Sequence, residues 1–393
     1  MRDISILVKP ASGLCNMHCD YCFYCDEAQK RQQASYGMMS VETLRNVIKR
    51  TLMRTEDVYN LAFQGGEPTL CGISFFEQVV DFVHRYNRNH AHINLALQTN
   101  GYALDENWCR FFAENHFLIG MSVDGTPEIH ERYRHAKDGG RSYEHCLKAA
   151  GLMDAFHVDY NILTVVHRMT AGHIREIYQS YREHGWHYQQ YIACLEPLGE
   201  TRGDQEYALK PETYGRFLTT LFAMWYEDFL AGQEPYIRQF DNYISILLGQ
   251  EPESCEQRGT CGLQYVVEAD GSVYPCDFYV LDRYRLGNFN ENLLPEIDVK
   301  RSEIGFCYRS EKLPDRCRQC RWLTVCRGGC YRQRMSGCQG EANLNYFCEA
   351  YQMFFETCWE RLNRAAEITR ERMERAELSA KGYSIPVVFP ECL

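Results

Sequence analysis

Six short apolar or β-branched segments, at residues 4–9, 60–63, 94–98, 118–122, 160–165 and 188–192, alternate with helical patterns at 41–54, 74–89, 105–115, 143–156 and 171–184. Each segment reads as a strand ending near a polar or glycine-bearing loop. Ser40 is placed to cap the first of these helices, with Thr43 where a full capping box would have Glu. Strand–helix alternation on this scale argues a parallel sheet with helices outside. Right-handed crossovers then curl it into a barrel or an open arc. In such folds the active loops lie at the C-terminal strand ends. Four unusual stretches fall there: Cys15–Cys22, Gln64-Gly-Gly-Glu-Pro68, Thr99-Asn100-Gly101 and Asp124.

The rest of the chain changes texture twice. Residues 195–209 read as a loop; Pro211 then opens a long helix to Leu230, with proline in the first turn where its missing N–H costs little. A second helix covers 237–248, and Gly249-Gln-Glu-Pro252 breaks it. Cysteines and turns follow, with a hairpin expected around Asp270-Gly271. The stretch 290–309, containing Pro295 and Cys307, reads as irregular, 350–378 as helical, and 385–390 as extended. The expected organisation is a barrel at 1–209, a helical bridge at 210–254, a cysteine-rich domain at 255–348, and a C-terminal helix and tail at 349–393.

Composition narrows the function. The 393 residues allow a large core and two domains. A net charge of −11 without a dense basic run argues against nucleic-acid binding. No run of apolar residues is long enough to span a membrane, and the N-terminus lacks the apolar core of a signal peptide. Twenty cysteines in a long chain without an export signal point to metal or cluster ligation in a reducing cytoplasm. Dense thiolate clusters are oxygen-labile, so the setting is expected to be anaerobic.

Eleven of those cysteines are spaced as ligands. Cys15-Asn-Met-His-Cys19-Asp-Tyr-Cys22 offers three thiolates, enough for three irons of a 4Fe–4S cluster, with the fourth iron open to a substrate. Buried thiols, or zinc with Cys25 as fourth ligand, are the alternatives. Further on, the run is Cys255-x5-Cys261-x9-Gly271-x4-Cys276, then Cys317-x2-Cys320-x5-Cys326-x3-Cys330-x17-Cys348. Eight thiolates suit two fully ligated clusters that transfer electrons, or a pair of zinc ribbons. Cys25, Cys71, Cys109, Cys146, Cys194, Cys307, Cys338, Cys358 and Cys392 fall at no ligand spacing and read as reduced thiols.

With the aromatic Tyr21 before its last cysteine and the Gly65-Gly66-Glu67-Pro68 loop downstream, the N-terminal half resembles the radical S-adenosylmethionine enzymes. The resemblance implies that the open iron takes the amino and carboxylate groups of S-adenosylmethionine. Reduction then yields a 5′-deoxyadenosyl radical. It also implies that Glu67 and the exposed backbone at Gly66 meet the methionine amino group. Ser122 and Arg134 would contact ribose and carboxylate, with Leu195 near the adenine. The later cysteines resemble the SPASM domain, which implies one cluster on Cys255, Cys261, Cys276 and Cys330 and an outer one on Cys317, Cys320, Cys326 and Cys348. The implied fold is α/β: a partial (β/α)6 TIM-like barrel of the radical SAM type, followed by a small cysteine-rich SPASM domain and a C-terminal helix.

Tyr274-Pro-Cys-Asp277-Phe-Tyr279 sets a carboxylate beside a cluster ligand. With Lys9-Pro-Ala-Ser12, Phe63-Gln-Gly-Gly-Glu-Pro-Thr69, Leu97-Gln-Thr-Asn-Gly101 and Trp225-Tyr-Glu-Asp-Phe229, it resembles the anaerobic sulfatase-maturating enzymes, from about Ile4 to Arg361. That family oxidises a Cys or Ser of a sulfatase to Cα-formylglycine. The resemblance implies three 4Fe–4S clusters and S-adenosylmethionine as cofactors. It makes Asp277 the base and Tyr24, Gln64 and Gln98 contacts to the substrate peptide. It further implies a sulfatase or its Cys/Ser-x-Pro-x-Arg segment as partner, and a flavodoxin- or ferredoxin-like electron donor. Two rivals stand beside this: another SPASM peptide modifier forming thioethers, carbon–carbon links or epimers, and an iron–sulfur electron carrier. The cluster loop begins at Cys15, leaving no room for the N-terminal recognition domain that peptide modifiers often carry, and a carrier needs neither an open iron nor the glycine loop.

Overall fold

The computed structural model describes residues 3–335 and 343–380; Cys338, Cys392 and the segment 385–390 lie outside the described residues. Strands β1 (Ile4–Val8), β2 (Val58–Phe63), β3 (His92–Thr99), β4 (Phe117–Ser122), β5 (Tyr160–Val166) and β6 (Tyr188–Ala193) lie side by side in chain order, all parallel. The main helices among them are α1 (Phe23–Gln29), α2 (Val41–Leu52), α3 (Ile73–Tyr86), α4 (Glu106–Glu114), α5 (Ser142–Ala155) and α6 (Ile174–Glu183). Ser40 caps α2 by accepting the Thr43 amide. Alternate strand residues are buried: Tyr59, Leu61 and Phe63 on β2, Leu95 and Leu97 on β3. The Phe63 ring meets Phe76 of α3 edge-on at 5.1 Å. Burying each side chain of this size contributes about 1.5–3 kcal/mol, which fixes which way the strands face. The other face is small and polar, with Asn60, Ala62, Ala96 and Gln98 half-buried, so the interior of the arc stays open.

Beyond β6 come α7 (Pro211–Ala231), the short edge strand β7 (Tyr236–Ile237) and α8 (Arg238–Leu247). The hairpin of β8 (Tyr265–Val267) and β9 (Ser272–Tyr274), with β10 (Gly287–Asn288), then does something that alternation alone did not announce. Strand β8 pairs parallel with β1, Ile6 opposite Tyr265, and β9 and β10 add antiparallel. The cysteine-rich region therefore continues the barrel's own sheet, which runs β10-β9-β8-β1-β2-β3-β4-β5-β6-β7. Gly271 turns the hairpin at φ +87°, a value that favours glycine.

The stretch expected to be irregular is helical: α9 covers Leu294–Ile304. Pro295 occupies its first turn, where no N–H is needed, and the Glu296 carboxylate accepts the Leu293 amide. Gly305, at φ +65°, ends it. The last helix, α10 (Cys348–Ala380), packs on α7 and α8 through an aromatic cluster. Phe222 is 5.6 Å from Phe354 and 5.1 Å from Phe240, ring to ring. Among the described residues no helix is long and apolar enough to cross a membrane.

Candidate active site

The loop after β1 is built against the glycine loop after β2. The Gly66 amide donates to the Ser12 carbonyl and the Glu67 amide to the Leu14 carbonyl, both at 2.8 Å. A Cβ on Gly66 would sit 1.9 Å from the Leu14 carbonyl oxygen. Glycine at 66 thus serves the close approach of the cysteine loop itself, where the sequence suggested the approach of a ligand. Past Leu14 the loop pairs Met17–Cys19 with Arg134–Ala136, which sets Cys19 opposite Arg134. Cys15 Sγ accepts from the Met17 amide at 3.3 Å and from Asn100 Nδ2 at 3.7 Å. Cys15, Cys19 and Cys22 act on one another electrostatically, so the three sulfurs share one neighbourhood. Burial pushes the Cys19 thiol up to about 12, against the pull of Arg134. A thiolate there needs a strong cation, which a cluster iron would supply. Cys25 is exposed, with its thiol against that of Cys22.

Around this loop the expected cofactor contacts are polar and tightly held. Buried Glu67 accepts from Thr69 Oγ1 and Thr99 Oγ1, both at 2.8 Å, and from the Asn100 amide at 2.8 Å. Burial holds its carboxyl above the usual range while those donors oppose the rise. Tyr21 donates to buried Asp124, and Arg134 Nη1 donates to the Tyr21 oxygen at 3.0 Å. The Arg134 Nε is buried without a hydrogen-bond partner, a vacancy that a carboxylate would fill. Asp124 also accepts the Val165 amide at 2.9 Å and lies 3.8 Å from His167 Nε2. Ser122 is buried at the end of β4. Leu195, past β6, lines a small hollow with Glu196, Arg202 and Arg332.

Asp277 lies just past β9, in the turn that follows Cys276, and is 6% exposed. Its Oδ2 accepts from Tyr24 of α1 at 2.7 Å and from Gln64 Nε2 at 2.6 Å, while Oδ1 is buried with no partner. Gln98, half-buried on β3, makes no hydrogen bond to this group.

Beneath it is a charge cluster that sequence reading missed. Lys9 lies 3.1 Å from Glu268 and 3.6 Å from Glu27, and Arg31 lies 2.6 Å from Glu268. Burial alone would lower the Lys9 ammonium, but Glu268, Glu27 and Asp277 together hold it above its usual range. Burial raises the Asp277 carboxyl, and Lys9, Tyr24 and Gln64 pull it back. The only outward signal was a lysine ending an apolar strand. Lys9→Met leaves these carboxylates short of a buried cation and is expected to destabilise the holoenzyme by about 3–5 kcal/mol. Chemical unfolding of the reconstituted protein measures this, and a loss under about 1 kcal/mol would show that Arg31 alone suffices.

The eight later cysteines fall into two sets. Cys276 senses Cys261, Cys330 and Cys255, and Cys330 senses Cys255 and Cys261. Cys317, Cys320, Cys326 and Cys348 line one hollow with Trp322 and Tyr351. Cys330 thus sits with the first set although Cys326 is its nearer neighbour in the chain, an interleaving that spacing could not supply. Four thiols spread around a hollow fit a cubane, in which each iron takes one thiolate. Of the remaining thiols, Cys109, Cys146, Cys194 and Cys358 are buried.

Residues 10–180 match the radical SAM superfamily and residues 259–321 the SPASM iron–sulfur cluster-binding domain. Fold and thiol sets together define a radical S-adenosylmethionine enzyme with an iron–sulfur-binding domain after its barrel, and its cofactors are 4Fe–4S clusters and S-adenosylmethionine. The chain is 42% identical over 366 residues to the cysteine-type anaerobic sulfatase-maturating enzyme of Clostridium perfringens (strain 13 / Type A), covering 93% of this chain and 99% of that one. It belongs to the anaerobic sulfatase-maturating enzymes, oxidoreductases that convert a sulfatase side chain to formylglycine. The serine-type enzyme of Bacteroides thetaiotaomicron is 29% identical over 372 residues, covering 90% and 89% of the two chains. The solved structure of native anSMEcpe with bound AdoMet and Cp18Cys peptide matches with a TM-score of 0.89 at 42% identity, covering 94% of this chain and 100% of that one. The peptide-modifier and electron-carrier alternatives give way to this assignment.

Proposed function

We propose that this enzyme acts on the cysteine of a sulfatase Cys-x-Pro-x-Arg segment, with Asp277 as the base. The observation that carries the reading is the Asp277 carboxylate, with one oxygen held by Tyr24 and Gln64 and the other buried without a donor. The greater identity to cysteine-type than to serine-type relatives supports the choice of substrate.

Cys15, Cys19 and Cys22 hold the first cluster. Glu67, Ser122, Arg134 and Leu195 surround S-adenosylmethionine, with Tyr21 holding Arg134 in place and Gly66 admitting the cysteine loop. The two later thiol sets hold one cluster each. When bound, the first cluster and S-adenosylmethionine would supply the radical chemistry that removes a Cβ hydrogen atom from the target residue. Asp277 Oδ1 accepts the thiol proton, and Tyr24 and Gln64 keep the carboxylate from turning away. The electron left behind would pass to the cluster that Cys276 helps to hold, and water would hydrolyse the resulting thioaldehyde to the aldehyde with release of hydrogen sulfide. Its place beside Cys276 puts proton acceptance next to a cluster ligand. Gln98 faces the open interior, where the peptide lies. The electron donor is a flavodoxin- or ferredoxin-like protein and the setting a reducing, anaerobic cytoplasm.

The test is anaerobic incubation of the reduced enzyme, reconstituted to about twelve irons per chain, with Cys-x-Pro-x-Arg and Ser-x-Pro-x-Arg peptides. Mass spectrometry should show the thiol-to-aldehyde change on the first peptide. No change on the cysteine peptide, with S-adenosylmethionine cleaved normally, would overturn the substrate assignment.

A further inference from the structure

Arg334 is one of the largest fully buried side chains in the molecule, with 1% of its surface exposed. It ends the short helix Tyr331–Arg334, four residues after Cys330. Among the described residues its guanidinium donates only to neutral backbone carbonyls. Nη2 reaches Ser310 at 2.7 Å and Gly259 at 3.0 Å, and Nη1 reaches Lys312 at 3.2 Å. Its Nε is buried without a hydrogen-bond partner. Among the described residues no carboxylate lies within ion-pair distance of it, in contrast to buried Arg31, which pairs with Glu268.

A buried guanidinium with no carboxylate beside it among the described residues is costly unless another negative group balances it. The carbonyl partners of Arg334 tie it to the cysteines: Gly259 lies between Cys255 and Cys261, Ser310 accepts the Cys261 amide at its hydroxyl at 2.9 Å, and Lys312 precedes Cys317 by five residues. The acidic groups that act most strongly on Arg334 are accordingly the thiols of Cys261, Cys330 and Cys317. The first two belong to one thiol set and the third to the other. A cubane with four thiolates is a dianion when oxidised and a trianion when reduced, because four thiolate charges outweigh the core. One fixed cation beside both sets answers both negative charges.

We infer that Arg334 is the shared counter-ion of the two clusters of the C-terminal domain, a positioning residue that raises the reduction potential of each by favouring its more negative state. This rests on the cluster assignment above. The effect is electrostatic: it needs the positive charge and not the guanidinium's shape. An arginine keeps that charge at any working pH.

The experiment compares wild type, Arg334→Gln and Arg334→Lys, each reconstituted anaerobically and titrated potentiometrically with EPR detection of each reduced cluster. Arg334→Gln keeps a donor for the carbonyls and loses the charge; Arg334→Lys keeps the charge. In Arg334→Gln, at a fixed solution potential, the reduced-to-oxidised ratio of both later clusters is expected to fall at least tenfold. For a one-electron couple that is about 59 mV. The N-terminal cluster is the internal control and should not move, and Arg334→Lys should track wild type.

Unchanged potentials in a fully loaded Arg334→Gln protein would overturn the inference, as would a shift in only one of the two clusters. If Arg334→Gln retains only the N-terminal cluster while Arg334→Lys loads fully, the charge serves cluster assembly and not the tuning of a loaded cluster, which overturns the inference. Loss of the later clusters in both variants would show that the guanidinium's geometry, not its charge, is what matters. Wild-type protein with about four irons and two zincs would instead refute the cluster assignment, an outcome visible before any variant is made.

Discussion

Asp277→Asn is expected to cut formylglycine formation by about 10²–10⁴-fold, with S-adenosylmethionine cleavage and iron content at wild-type levels. The substitution is nearly isosteric, so the reason is chemical. Tyr24 and Gln64 both donate to Oδ2. An asparagine can meet two donors only with its carbonyl oxygen, which turns its amide NH2 into the position of Oδ1. That position then offers a donor where the reaction needs an acceptor. Flipping the amide the other way would set its N–H groups against the Tyr24 and Gln64 donors. The radical step is assigned to Cys15, Cys19, Cys22, Glu67, Ser122, Arg134 and Leu195, and the hydrogen bonds of Asp277 go instead to Tyr24 and Gln64. Cleavage should therefore continue, uncoupled from product. Quantifying 5′-deoxyadenosine beside the modified peptide in one reaction separates the two. Product above about a tenth of wild type would move the base elsewhere, because a general base contributes at least two orders of magnitude.

What the sequence disclosed and what it hid follow from how far each signal reaches. Hydrophobic alternation is local, so all six barrel strands and helices α2 to α6 were legible, while the short α1 (Phe23–Gln29) was not. The eleven cysteines proposed as ligands carry that chemistry in their spacing, so they stood out. Pairing β8 with β1 is a contact across some 250 residues; the hairpin was readable, its docking was not. Spacing alone could not give the partition of the later cysteines for the same reason: Cys330 joins Cys255, Cys261 and Cys276 only through folding, and the resemblance to the SPASM domain is what implied it. The charges under Asp277 were invisible on a different ground. Lys9, Glu27, Arg31 and Glu268 are ordinary surface types, and only burial makes them significant. Pro295 misled because proline breaks a helix interior but suits its first turn.

Gly66→Ala tests whether the radical chemistry depends on the contact between the two loops, and the expected result is loss of the N-terminal cluster alone. The added Cβ would fall 1.9 Å from the Leu14 carbonyl oxygen, 2.5 Å from its carbon and 2.8 Å from the Gly13 carbonyl carbon. All three are backbone atoms, so no rotamer change relieves the clash; the loops must part. Parting them gives up the hydrogen bonds from the Gly66 and Glu67 amides to Ser12 and Leu14. It also moves Glu67, whose carboxylate is set by Thr69, Thr99 and Asn100, away from the loop that carries Cys15. Iron should fall from about twelve to about eight per chain, and S-adenosylmethionine cleavage should cease. The two later clusters should keep their EPR signals, because their cysteines lie at 255–348, outside both loops. Gly151→Ala is the control: it lies in α5 with nothing within 4 Å of the added Cβ, and should be neutral or stabilise by about 0.5–1 kcal/mol. If Gly66→Ala retains all its iron and cleaves S-adenosylmethionine, the glycine is needed for neither cluster nor cofactor. The close approach of the two loops would then be a detail of packing, with the radical site held by the Cys19–Arg134 ladder instead.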